Sequence, residues 1–246
     1  MPQRGLFVTG TDTGAGKSVL SACLAAAMTD SGLTVRAYKP VLTGLEDPPG
    51  DWPADHELLA LATGQPAEEV APLRFGPAVS PHLAAELVQA PIDTDALIAG
   101  AGARDRGPRD ARPQDAGEQG ADAEVLLVEG VGGLLVPLAE RFAVRDLAAA
   151  LALPLLIAAR PGLGTINHTL LTLEAAAAAG LAVRAVVLGP WPQEPGEIER
   201  SNAVTIERLG EVEVTMLPLV SGPSRAELAR AGAALPWQRW LDGPPA

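Results

Sequence analysis

Only two lysines occur in this chain, Lys17 and Lys39, and both stand where an anion could be held. Lys17 belongs to the stretch Gly10-Thr-Asp-Thr-Gly-Ala-Gly16-Lys17-Ser18, which follows a mainly apolar run from Gly5 and leads into an alanine-rich segment. A strand that breaks into a glycine-rich turn and restarts as a helix on Gly-Lys-Ser has the layout of a phosphate-binding loop. Backbone N–H groups surround the phosphates, the lysine reaches the outer ones, and the serine hydroxyl meets Mg²⁺. Thr13, Gly14, Ala15, Gly16, Lys17, Ser18 and Val19 are therefore expected to hold a nucleoside triphosphate. Five residues separate Gly10 from Gly16 where the common pattern has four, a longer loop used by a subset of such proteins. Elsewhere the cationic side chain is arginine. A compact ammonium persists where a wide planar fork cannot replace it, which supports an anion-binding role for Lys39 too.

A nucleotide held this way needs oxygen ligands for its cation. Glu129 ends the apolar run that starts at Glu124 and precedes Gly130-Val131-Gly132-Gly133. The carboxyl end of a strand is where phosphate-loop proteins keep the acid that acts on Mg²⁺, directly or through water, although an acid there could also simply face solvent. Asp55 opens a helix and on residue type alone reads as an N-cap. His82 and His168 read as structural or capping residues, and His56, at a polar start of a helix, as solvated. The single cysteine, Cys23, falls inside the first helix and reads as a small core residue.

The elements that must position these groups alternate. A helix is expected from Ser18 to about Ser31, stopped by Gly32, and a strand from Thr34 to Tyr38 puts Lys39 at a strand's carboxyl end. Leu45 to Pro53 reads as a turn-rich loop, Asp55 to Thr63 as a helix closed by Gly64, Ser80 to about Ala90 as another, and a short helix follows from Thr94. Gly100 to about Ala123 has no periodicity and reads as a flexible, solvated loop in which acids offset the arginines. Beyond Glu129 come helix Val144–Leu151, strand Pro154–Ala159, helix Thr165–Ala179, strand Val183–Leu188, helix Pro195–Leu209 and strand Val212–Leu217. Such alternation implies an α/β fold: an open, mainly parallel sheet with helices on both faces, in one domain spanning the whole chain.

Composition narrows the function. A chain of 246 residues, 48% hydrophobic but with no apolar span long enough for a bilayer, reads as globular, and the absence of a leader pattern and of a disulfide framework suggests a cytoplasmic setting. A net charge of −12 opposes non-specific binding to nucleic acid or anionic membranes, while leaving room for a local site for a small polyanion.

With these stretches in hand the chain resembles the dethiobiotin synthetases, a family of phosphate-loop nucleoside triphosphatases. The resemblance rests on Val8 to Ser18, on Tyr38-Lys-Pro-Val-Leu-Thr-Gly44, Asp55, Ser80-Pro-His82, Val128-Glu-Gly-Val-Gly-Gly-Leu134 and Gly164-Thr-Ile-Asn-His168, in that order. It covers most of residues 5 to 190 and is loose over the last fifty or so. What it implies is an ATP-dependent carboxylation and ring closure: 7,8-diaminononanoate, CO₂ and ATP give dethiobiotin, ADP and phosphate. It further implies that Lys17, Lys39 and Thr43 act on the reacting groups and that Ser18, Asp55 and Glu129 surround Mg²⁺. The nucleotide would also touch Gly130, Val131 and Gly132, with Gly189, Pro190, Pro218, Leu219 and Val220 around its base. Thr43, Ser80, Pro81, Gly132 and Gly133 would meet the diamine, and Thr165, Ile166 and Asn167 would serve the substrate of a neighbouring subunit in a homodimer. Relatives carry an Asn-Asp pair that reads adenine where this chain has Gly189-Pro190. Base selectivity is therefore expected to be reduced, with Trp191 as the available stacking group.

Two rival readings use the same loop. A nucleotide-driven switch of the Min or Par type would leave Lys39-Pro-Val unexplained and lacks a basic amphipathic tail at its carboxyl terminus. An amidotransferase domain of cobyrinate type would find only Cys23 as a nucleophile, a poor one inside a helix.

Overall fold

The structure, a computed structural model, describes residues 4–47, 50–102 and 124–243. Its elements run β1 (Gly5–Gly10), α1 (Lys17–Asp30), β2 (Val35–Tyr38), β3 (Val41–Leu42), α2 (Asp55–Thr63), α3 (Ala67–Val70), β4 (Leu73–Arg74), α4 (Pro81–Leu87) and α5 (Thr94–Gly102). There follow β5 (Val125–Gly133), β6 (Pro137–Ala139), β7 (Phe142–Ala143), α6 (Val144–Leu151), β8 (Leu155–Ala159) and α7 (Thr165–Ala178). The chain continues through β9 (Val183–Trp191), α8 (Glu197–Gly210), β10 (Val214–Pro218), α9 (Arg225–Ala233) and α10 (Trp237–Asp242). The main sheet has six parallel strands in the order β10-β9-β8-β1-β5-β2, so the expected fold class holds.

Alternation within each central strand assigns the two faces. In β1, Leu6 and Val8 turn to a core built with α1, α2, α9 and α10, while Phe7 turns to one shared with α4, α5 and α6. In β5, Val125 and Leu127 go to the first side, Leu126 and Val128 to the second. A third cluster joins Ile157 and Val186 to Ala203 and Ile206 of α8. Helix α1 is rich in alanine because α9 lies directly on it: a Cβ on Gly232 would come within 2.0 Å of the Cys23 carbonyl oxygen. Close helix approach of this kind admits only small residues.

Several boundaries differ from those expected. Helix α5 runs on to Gly102, three residues into the stretch read as a loop, and the remainder of that stretch, residues 103–123, lies outside the described residues. Strands β5 and β9 extend beyond Glu129 and Leu188 because their neighbours β1 and β10 keep pairing with them, through Gly10 with Gly133 and Pro218 with Trp191. Helices α9 and α10 form from a tail whose similarity looked slight: α9 lies on α1, and Leu228, Trp237 and Trp240 are buried in the first core cluster. Among the described residues no helix is long and apolar enough to cross a membrane.

Candidate functional site

The parallel order puts the carboxyl ends of β1, β5 and β2 side by side, at the sheet edge where the strand order turns back on either side of β1. Between β1 and α1 the loop takes left-handed turns at Gly14 (φ 70°) and Gly16 (φ 90°), a conformation that a Cβ would oppose. Gly16 is the N-cap of α1, so the helix begins on Lys17 with its first N–H groups free. Lys17 then folds back: its Nζ donates to the Asp12 carbonyl oxygen at 3.1 Å, and a Cβ on Gly10 would sit 3.1 Å from the Lys17 Cγ. Gly10 is thus a requirement of the path the lysine takes. Burial, aided by the nearby Lys39 charge and opposed by Glu129, lowers the Lys17 pKa from its ordinary value.

Glu129 joins the three strand ends. Its Oε1 accepts from the Lys39 Nζ at 2.6 Å and from the Ser18 Oγ at 2.9 Å, while its Oε2 is buried with no hydrogen-bond partner. Both members of the pair are almost wholly excluded from solvent, with side-chain exposures of 3% for Lys39 and 1% for Glu129. The pairing of Tyr38 with Val128 in β2 and β5 makes the two side chains neighbours across ninety residues of sequence. Asp55 comes from the other direction, its Oδ2 2.8 Å from the same Nζ. Burial works against the Lys39 charge, but Glu129 and Asp55 outweigh it and raise the pKa above the usual lysine range. Burial likewise opposes ionisation of Asp55, yet Lys39 prevails and, with a hydrogen bond from Ser18, holds the carboxyl below its ordinary value.

Lys17, Ser18, Lys39 and Asp55 border a cavity of about 660 Å³, while Glu129, buried, is not among the residues that line it. Thr13, Gly14, Gly16, Lys17, Ser18 and Val19 of the phosphate loop and α1 line it together with Lys39, Thr43 and Asp55. Ser80, Pro81, Val131 and Gly132 line it as well. Gly132, at φ 59°, leaves no room for a Cβ, which would be 2.8 Å from Val136. A smaller hollow of about 190 Å³ opens beside it, walled by Ala15, Gly16, Val19, Trp52, Gly189 and Pro190, with Leu217, Pro218, Leu219 and Val220 beyond.

Several expected members lie elsewhere. Gly130 faces the core, where a Cβ would meet Val144 and Phe7 at 3.0 and 3.2 Å, so it touches neither cavity. Gly133 borders a separate hollow with Thr11, Asp12 and His168. Thr165, Ile166 and Asn167, at the start of α7, line neither cavity of this chain; Thr165 is buried with its hydroxyl 3.5 Å from that of Thr169, and Asn167 is exposed. Asp55 is not an N-cap: it is the first residue of α2, Ala54 precedes it, and Glu57 receives the Ala54 N–H. His56 is buried rather than solvated, because the helical period places it with Leu59 on the inner face of α2; burial lowers its pKa. Trp191 packs into the third core cluster and does not reach the small hollow. Trp52 takes that place instead. An aromatic residue inside an otherwise polar, proline-rich loop was the available signal for it. Cys23 is buried and its thiol is pushed up to about 12 by burial, which removes it as a nucleophile.

Apart from the Lys39 ammonium, the polar side chains around Glu129 offer hard oxygens. Ser18, Asp55 and the unpartnered Oε2 of Glu129 suit a cation such as Mg²⁺, which takes one or two carboxylates and completes its shell with water and phosphate. Among the described residues no cluster of three or more acids, histidines or cysteines offers a cage made by protein alone.

The model of an AAA domain family matches residues 4–223. The ATP-dependent dethiobiotin synthetase BioD of Mycobacterium avium is 37% identical over 96% of this chain and 96% of its own length. The protein of that name from Anaeromyxobacter dehalogenans is 39% identical over 94% and 95%. The similarity thus runs well into the carboxyl-terminal segment. Among solved structures, a MinC:MinD cell division complex from Aquifex aeolicus includes a chain that matches with a TM-score of 0.50 at 14% identity, over 92% of this chain and 94% of that one, a likeness of fold alone.

Proposed function

The chain belongs to the family of ATP-dependent dethiobiotin synthetases, and we propose that it joins CO₂ to 7,8-diaminononanoate and closes the ring to dethiobiotin, at the cavity between the phosphate loop and Thr43. One observation carries the reading: Lys39, a desolvated cation, is already fixed by Glu129 and Asp55 beside Lys17 and Ser18, where two anions must be brought together. One substrate amine adds to CO₂ and sheds a proton, giving a carbamate. The carbamate oxygen attacks the γ-phosphorus, ADP leaves, and a carbamic-phosphoric anhydride forms. The neighbouring amine then attacks the carbonyl carbon, phosphate leaves, and a proton is lost as the cyclic urea closes.

Two negatively charged groups react in this sequence, so the protein's part is positioning and electrostatics. Lys17 leaves the Asp12 carbonyl for the outer phosphates, and Lys39 lies between carbamate and γ-phosphate. Thr43 hydrogen-bonds the carbamate or an amine, while Ser80, Pro81 and the backbone at Gly132 border the diamine. Ser18, Asp55 and Glu129 would hold Mg²⁺, whose charge offsets that on the phosphate oxygens. The neutral edge of the nucleotide would lie in the smaller hollow.

We further infer a single domain, a homodimer in which Thr165, Ile166 and Asn167 at the start of α7 approach the partner's substrate, and a cytoplasmic enzyme that binds neither nucleic acid nor membrane. The net charge of −12 supports the last of these. The Min or Par switch reading gains support from fold likeness only. The deciding experiment is phosphate release by the purified protein with diamine and bicarbonate supplied together or singly. Release that needs both supports the synthetase; equal release without either would overturn it.

A further inference from the structure

Trp52 and Val19 are the two side chains that border both the large cavity and the small hollow beside the first turn of α1, and Trp52 is the aromatic one. It is half-buried and packs against the first core cluster. Every other side chain of the hollow, from Ala15 and Leu20 to Val187 and Leu217, is apolar, so the only polar atoms there besides the indole N–H belong to the backbone. At about 190 Å³ the hollow is below the size of a whole-ligand pocket and suits a flat ring. Gly189 and Pro190 bring no side-chain donor or acceptor to it.

We propose that Trp52 holds the nucleobase by stacking, and that this contact makes base identity nearly indifferent to the enzyme. The inference rests on the nucleotide reading given above. Every base has a π-face, whereas strong discrimination requires side chains paired to one hydrogen-bonding edge. Stacking therefore adds affinity common to all four nucleotides, and the phosphate loop adds the rest.

The test compares wild type, Trp52→Ala and Trp52→Phe by calorimetric binding of ATP, GTP, CTP and UTP, with inorganic tripolyphosphate as a probe that has the charge but no base, all with Mg²⁺. Wild type should bind the four nucleotides within about tenfold of one another. Trp52→Ala should weaken all four by about 5- to 150-fold, the usual effect of removing a base-stacking aromatic, and leave tripolyphosphate within twofold. Trp52→Phe should recover most of the loss. If Trp52→Ala does not fold, the wild-type fluorescence decides: nucleotides should quench it, tripolyphosphate should not, and Trp52→Phe should abolish the quench although Trp191, Trp237 and Trp240 remain. Unchanged nucleotide affinity in Trp52→Ala, loss confined to ATP, equal loss for tripolyphosphate, or no quench in wild type would each overturn the proposal. Failure of wild type to bind tripolyphosphate and to turn over diamine would instead overturn the synthetase reading itself.

Discussion

Replacing Lys39 by methionine separates what the Lys39–Glu129 pair does for folding from what it does for turnover. Methionine keeps most of the length of the side chain and removes the charge, leaving Glu129 at 1% exposure with only the Ser18 hydroxyl on one oxygen. Breaking a buried pair on one side costs about 3–5 kcal/mol, because the remaining charge is uncompensated. For a protein of this length each kcal/mol shifts Tm by about 2–4 °C, so Lys39→Met should melt roughly 6–20 °C lower. Adding Glu129→Gln removes the orphaned charge, and the double variant should recover most of that loss. Turnover should behave differently. Loss of one preorganised donor costs about 10² to 10³ in rate, and the double variant should be no better than the single one. Lys39→Arg should fail nearly as badly, since a planar fork does not fit a point-charge site. Calorimetric melting and diamine-dependent phosphate release read the two effects. Turnover within tenfold of wild type in Lys39→Met, or a double variant as unstable as the single, would refute the reasoning.

Lys17→Met should bind Mg²⁺-triphosphate at least about 10²-fold more weakly and yet melt higher than wild type, as scanning calorimetry would show: a lysine whose folded pKa is lowered opposes folding at every pH below its ordinary 10.5, and methionine removes that penalty. On the acid side, Asp55, with its folded pKa lowered, stabilises the fold above its ordinary 3.8 and loses that contribution as pH falls through the lowered value; Lys39, with its pKa raised, contributes below 10.5 and loses this only above it. A pH series of Tm should therefore show no break from this pair between about pH 4 and 10, and the acid break should disappear in Asp55→Asn. Chelation by EDTA should abolish phosphate release and added Mg²⁺ should restore it; release that persists would remove Ser18, Asp55 and Glu129 from a metal role. Sedimentation should give a dimer, and an inactive Lys39→Met subunit mixed with an inactive Asn167→Ala subunit should regain part of the activity; a fully active monomer would exclude shared sites.

What could be read in the sequence was local. The spacing of Gly14, Gly16, Lys17 and Ser18 fixes its own geometry within one turn and one helix start, and the structure repeats it without surprise. Alternation of strands and helices carried the sheet order's class because parallel strands require crossovers. The rest depended on non-local packing. His56 stands at a polar helix start in the sequence, whereas the period of α2 puts it on the same face as Leu59, which packs in the first core cluster. Trp191 and Trp52 exchanged roles: β9 stays paired with β10 to its end and carries Trp191 into the core, while a loop of no regular structure brings Trp52 across to the hollow. Helix α9 is hard to read from sequence because its small and apolar residues make sense only against the alanine face of α1 that it covers.

The same distinction explains the arrangement around Glu129. A strand-end acid, a strand-end lysine and a helix-opening aspartate were each legible by position, and the two acids had ordinary alternatives, solvent and a cap. Their meeting was not legible, because it requires β2 beside β5 in one register and α2 returning over the same edge. Once met, they constrain one another. Lys39 is desolvated before any ligand arrives, and two carboxylates keep it charged at a site where an isolated lysine would be driven toward neutrality. Reorganising water and side chains around a new cation would otherwise be part of the barrier. The folding energy that assembled the cluster has already covered that reorganisation, so the ammonium meets the developing charge in place.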